Sequence, residues 1–182
     1  MGWLVLILGL AIWIGAHLWK RAAPASRARF GEPGKGIVAA LLVVSILLMW
    51  WGYGRADGPV FWGRASWSVG INNLLTLVAV WLFVASNAGG RIATRMRNPQ
   101  LTAVKVWAVA HLLVNGSAKA FVLFGGLLAW AVVEVIVLKR TEAWEPRAPG
   151  PWSRDFAAAA IALVFWGVIA WIHTLFGKMP VG

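Results

Sequence analysis

The chain has 182 residues, of which 60% are hydrophobic and only 13% charged, which excludes an ordinary soluble domain, where about a quarter of residues are charged. Its formal net charge of +11 comes from short clusters between apolar runs and not from a continuous basic stripe. Nucleic-acid binding is therefore excluded, and the clusters read as cytoplasmic loops of a multispan protein.

Six apolar segments follow one another, at roughly 3–19, 36–54, 69–86, 101–115, 119–138 and 156–176. Most approach the ~20 residues needed to cross ~30 Å of hydrocarbon. They predict an all-α, polytopic transmembrane helix bundle of about six spans, with 1–182 as a single membrane domain. The first segment has no basic residue before it and Lys20-Arg21 after it. That is the reverse of a secretory signal, so it reads as a retained span. The fourth is short and runs into Asn115-Gly116-Ser117, a turn signal, so segments four and five read as a helical hairpin. No internal repeat is evident.

Thirteen of the seventeen lysines and arginines lie in the loops after spans one, three and five, or one turn inside span four. The other four are Arg55, Arg64, Lys119 and Lys178. Basic residues collect on the cytoplasmic side, so both termini are expected to be non-cytoplasmic. Many of the fourteen tryptophans, among them Trp3, Trp19, Trp50, Trp51 and Trp152, flank spans at the headgroup level. Trp107 and Trp130 lie inside spans, where packing between helices is the plainest role.

The polar residues inside the spans are few. Imidazoles that lose water need a hydrogen bond, a proton path or a metal, and the chain's only three histidines, His17, His111 and His173, all sit in apolar runs. They admit reading as metal ligands, as a proton relay or as hydrogen-bonded structural groups. Two helical imidazoles suit a haem iron, whereas no two histidines share a helix face in a zinc spacing. The chain has no cysteine, so thiolate ligands are excluded and any haem would be b-type and not covalently attached. Glu134, the only carboxylate within a span, is expected to pair with Lys105 across the hairpin. Asn72 and Asn73 are expected to bond between helices. No Ser-His-Asp set, carboxylate pair or phosphate-binding loop is present.

The stretch Lys105-Val-Trp107-Ala-Val-Ala-His111-Leu-Leu-Val-Asn115-Gly116 resembles a signature of the NnrU family, Lys-Leu-Trp-Ala-Leu-Ala-His-Leu-Leu-Ala-Asn-Gly. Gly9–His17 resembles that family's first helix, Gly31-Glu32-Pro-Gly-Lys35-Gly36 its first loop and Trp51-Gly52-Tyr53 the end of its second span. Phe124-Gly125, Ala129-Trp130-Ala131, Glu134 and Lys139-Arg140 follow its fifth span, and His173–Pro180 its C-terminal end. The resemblance covers nearly the whole chain. It implies a multi-pass protein of the bacterial inner (cytoplasmic) membrane, linked to nitrate, nitrite and nitric oxide metabolism and to proteins of redox or nitrogen-oxide pathways.

The family extends to the zeta-carotene isomerases, haem b enzymes acting on a polyene, and this implies haem b with His17 and His111 as its iron ligands. Trp107 and Trp130 would then be pocket walls. A cysteine of the isomerases corresponds to Ala108, an Arg-His-Pro motif appears as Arg97-Asn98-Pro99, and a histidine at the start of span three corresponds to Gly70. These departures count against isomerase chemistry and leave three histidines. Helix rise alone puts His173 closer in depth to His111 than His17 is, so His173 is the alternative partner. Three readings stand: a haem b membrane protein, a haem-dependent isomerase of a carotenoid-like polyene, and a cofactor-free scaffold.

Overall fold

The computed structural model describes residues 1–146 and 148–180. Arg147, counted above among the cytoplasmic basic residues, lies outside them. The helices are α1 (Gly2–Ala22), α2 (Pro24–Ala28), α3 (Pro33–Arg55), α4 (Ser66–Ala88), α5 (Arg91–Arg95) and α6 (Pro99–Val114). Then come α7 (Ala118–Ala120), a π-helical turn over Phe121–Gly125, α8 (Gly126–Thr141) and α9 (Trp152–Leu175). Five helical stretches are long and apolar enough to cross a membrane: α1, α3, α4, Ala118–Thr141 and α9. Helix α6 is a shorter apolar one. The six expected segments are thus all present, each extended by a few residues at one or both ends.

Local chemistry sets the boundaries. Pro33 and Pro99 open α3 and α6 at the first helical position, where a missing N–H costs nothing and φ is already helical. Helix α4 begins where the Ser68 hydroxyl accepts from the Ala65 N–H at 3.1 Å and ends at Gly89, whose φ of 63° is the left-handed cap that glycine adopts without strain. The two short helices α2 and α5 fill loops that hydropathy alone left blank.

The chain divides into two compact units. The first comprises Met1–Phe61 and Gly116–Thr141. Its centre is the antiparallel pair α1 and α3, brought close by glycines. A Cβ on Gly9 would meet the Met49 backbone nitrogen at 2.8 Å and the Ser45 carbonyl at 2.9 Å, and one on Gly52 would meet Leu6. Small residues let membrane helices approach until their backbones touch, which is where their packing energy comes from. Helix α8 packs on α1, and a Cβ on Gly126 would run into the Leu10 side chain. Within this unit the chain around Gly116 is paired with the segment after α3: Phe61 N–H donates to Gly116 O at 2.8 Å and Ala118 N–H to Pro59 O at 3.0 Å. Backbone left unpaired in hydrocarbon costs several kcal/mol per group, so this small antiparallel bridge allows helix to be interrupted there.

The second unit comprises Trp62–Asn115 and Glu142–Gly182. Helix α4 is its centre, with α6 and α9 packed on it. The α4–α9 pair is antiparallel: Trp166 Nε1 donates to Thr76 Oγ1 at 3.0 Å, and Arg154 Nη1 to Gly89 O at 3.4 Å. Segments four and five, expected as a hairpin, fall in different units. Helix α6 finds its partner in α4, and α8 finds its partner in α1. Asn72 and Asn73 also differ from expectation. Asn72 Nδ2 donates to Asn73 Oδ1 at 3.3 Å, and the hydrogen bond between helices is made by Thr76 and Trp166.

Candidate functional site

In the first unit, α1 carries Trp13, His17 and Arg21 at a spacing of four, which puts them in one stripe on a helix face. Helix α8 opposes them with Trp130 and Glu134, also four apart. The His17 ring lies between two indoles, with centroids 4.4 Å from Trp13 and 4.5 Å from Trp130. The indoles meet edge to face at 5.3 Å. Trp130 is 4% exposed. Both indole N–H groups are buried with no hydrogen-bond acceptor among the described residues.

One turn further, Arg21 Nη1 lies 2.7 Å from Glu134 Oε1. This corrects the expected Glu134–Lys105 pair. Helix α1 runs to Ala22 and so carries Arg21 as its last helical cation, one turn beyond His17, directly against α8. Lys105 belongs to the other unit.

In the second unit, α6 carries Trp107 and His111 four apart, with ring centroids at 4.7 Å. His173, near the end of α9, belongs to the same unit as His111. The structure therefore brings together His17 with Trp13 and Trp130, and His111 with Trp107, while His173 shares the unit of His111.

The three imidazoles share one arrangement. His17 Nδ1 lies 2.9 Å from Trp13 O, His111 Nδ1 2.9 Å from Trp107 O, and His173 Nδ1 2.7 Å from Ile169 O. A carbonyl only accepts, so Nδ1 carries the proton in each. That tautomer leaves the Nε2 lone pair as the ligating atom, and the Nδ1–H bond to a backbone carbonyl is how proteins orient imidazole ligands. Among the described residues no three His, Cys, Asp or Glu side chains gather to hold an ion by themselves. A macrocycle that brings its own four nitrogens needs only one or two such imidazoles.

Trp13 is not among the residues expected at the site, although its signal is present in the sequence. Trp13-Ile-Gly-Ala-His17-Leu18 and Trp107-Ala-Val-Ala-His111-Leu112 share the pattern Trp-x-x-Ala-His-Leu. It is a six-residue repeat, too short to stand out beside whole-domain periods. His173 has Ile169 in place of the tryptophan.

An all-helical chain with five helices able to span a bilayer, and with imidazoles inside three of its apolar helices, is a multi-pass membrane protein with buried ligand-type groups. The NnrU protein family matches residues 5–181, nearly the full chain, and the chain belongs to that family. Comparisons with curated proteins and with solved structures gave no match.

Proposed function

We propose that this NnrU family member is a haem-b-binding protein of the bacterial inner membrane that serves nitrogen-oxide metabolism, with His17 and His111 as iron ligands. The observation that carries this reading is the repeated arrangement at those two residues. Each has Nδ1–H held by the carbonyl four residues back, which makes Nε2 the atom that would bind a metal, and the tryptophan of that same turn against the ring. Haem would supply redox chemistry. The chain supplies orientation of each imidazole, apolar contact from Trp13 and Trp130 at His17 and from Trp107 at His111, and, beside His17, two buried indole donors suited to an acceptor on the bound group. The basic loops set the orientation, with both termini on the non-cytoplasmic side.

Protein purified from haem-replete cells is expected to show a Soret band and a b-type pyridine haemochrome, with the low-spin spectrum of two imidazole ligands. His17→Ala and His111→Ala should each abolish that spectrum, while His173→Ala keeps it. A colourless preparation that stays colourless with added haemin would overturn the proposal and favour a cofactor-free scaffold.

A second reading pairs His111 with His173, and their place in the same compact unit favours it. In that case His173→Ala loses the low-spin spectrum and His17→Ala retains it.

A further inference from the structure

The second unit contains a cavity of about 490 Å³ between α4, α6 and α9, within the size range of small-molecule sites. Its walls are apolar, with Val80 and Phe83 from α4, Val104 and Trp107 from α6, and Ile161 and Phe165 from α9. Phe83 and Phe165 are 53% and 55% exposed, so the cavity opens sideways, where hydrocarbon chains would be. Asn87 supplies its polar edge. The carboxamide nitrogen is engaged by Phe83 O at 3.2 Å and Ser86 Oγ at 3.0 Å.

Beyond Asn87, α4 ends and a basic rim begins. Arg154 lies on the same stripe of α9 as Ile161 and Phe165, seven and eleven residues before them, and its guanidinium reaches Gly89 O only at 3.4 Å. Arg91 has its guanidinium carbon 5.2 Å from the centre of the Trp152 ring, and its Nε is buried with no acceptor. Asp155, a carboxylate at this rim, is 5% exposed. It is committed to backbone, accepting Arg91 N–H at 2.7 Å and Ile92 N–H at 3.2 Å. Neither guanidinium forms an ion pair among the described residues.

An apolar slot with two guanidinium groups outside any described ion pair beyond its Asn87 end has the layout of one molecule, a hydrocarbon chain joined to an anion. We propose that this groove binds an anionic phospholipid, with one acyl chain between Phe83, Val104 and Phe165 and the phosphate on Arg91 and Arg154. The acyl chain would lie against Trp107, whose indole also contacts the His111 ring. The proposal does not depend on haem binding.

The full chain in nanodiscs of equal phosphatidylglycerol and phosphatidylcholine, released into native mass spectrometry, provides the test. Wild type should retain phosphatidylglycerol about twentyfold over phosphatidylcholine, since each arginine near the surface contributes about fivefold. The exposed substitution Arg154→Gln should cut that preference about fivefold, and Arg154→Lys should restore most of it. Val104→Trp, which fills the slot, should reduce retention of both lipids with helicity unchanged by circular dichroism. Equal retention of the two lipids by wild type, or an unaltered preference in Arg154→Gln, overturns the proposal. So does a haem or other pigment that is lost with Val104→Trp in place of lipid.

Discussion

Glu134 is the residue whose surroundings are most demanding. Its side chain is 6% exposed and Arg21's is 22% exposed, so each charge depends on the other for its stability in a low dielectric. Removing one partner of a buried pair leaves an uncompensated charge and costs about 3–5 kcal/mol, whereas replacing both by apolar groups is often neutral. Arg21 retains some access to the interface, which places the cost at the low end. Glu134→Ala is therefore expected to destabilise the protein by about 3 kcal/mol, and Arg21→Met with Glu134→Leu to recover most of it. Lys105→Ala should stay within about 0.5 kcal/mol of wild type. Thermal unfolding in detergent reads all three, and a Lys105→Ala loss equal to that of Glu134→Ala would contradict the pairing.

This residue also shows where sequence reading stopped. Drawing the first span to end at 19 put Arg21 in a loop, and the nearest cation to Glu134 was then Lys105. The histidines were legible because an imidazole in hydrocarbon stands out by its chemistry alone. The resemblance alone suggests Trp107 and Trp130 as pocket walls. Their contacts with His111 and His17 follow from helix period on one side and from helix pairing on the other, and only the first of these is written in spacing.

At the scale of elements, hydropathy located every span because lipid rewards a continuous apolar run whatever its neighbours. It carries no information on which helix packs against which, since lipid tails and leucine side chains are equally apolar. The small residues carry that information. Gly9 and Gly52 mark the α1–α3 contact, and both would place a Cβ into backbone atoms of the facing helix. Gly9→Leu or Gly52→Val should force the helices apart at a cost of about 1–3 kcal/mol or more. Gly36, which has nothing within 4 Å of an added Cβ, serves as the control, and Gly36→Ala should be neutral or stabilising. Melting temperatures of the three variants check this, and equal effects at positions 9 and 36 would refute the close approach. The π-helical turn at Phe121–Gly125 was not readable, because a single extra residue in a helical turn leaves the hydropathy profile intact.

For the whole molecule, the alternation of basic loops makes a prediction about sidedness that the helices alone do not. A C-terminal alkaline phosphatase fusion is expected to be active and a C-terminal green fluorescent protein fusion dark, the signature of a non-cytoplasmic terminus. Adding the positive charge of several lysines at 177–180 should weaken this orientation, because topology follows lysine and arginine bias in short flanking segments. An inactive phosphatase fusion with a bright fluorescent one would reverse the assignment.

The division into units also has a consequence in time. A ribosome delivers α1 and α3 first, and the piece that completes their unit, residues 116–141, emerges only after α4 and α6 have been made. Until then Trp13, His17 and Arg21 lack Trp130 and Glu134, and a buried-type arginine waits at the membrane surface without its carboxylate. The first histidine therefore has only the Trp13 indole of its own helix against it through much of synthesis, until the fifth span closes over it.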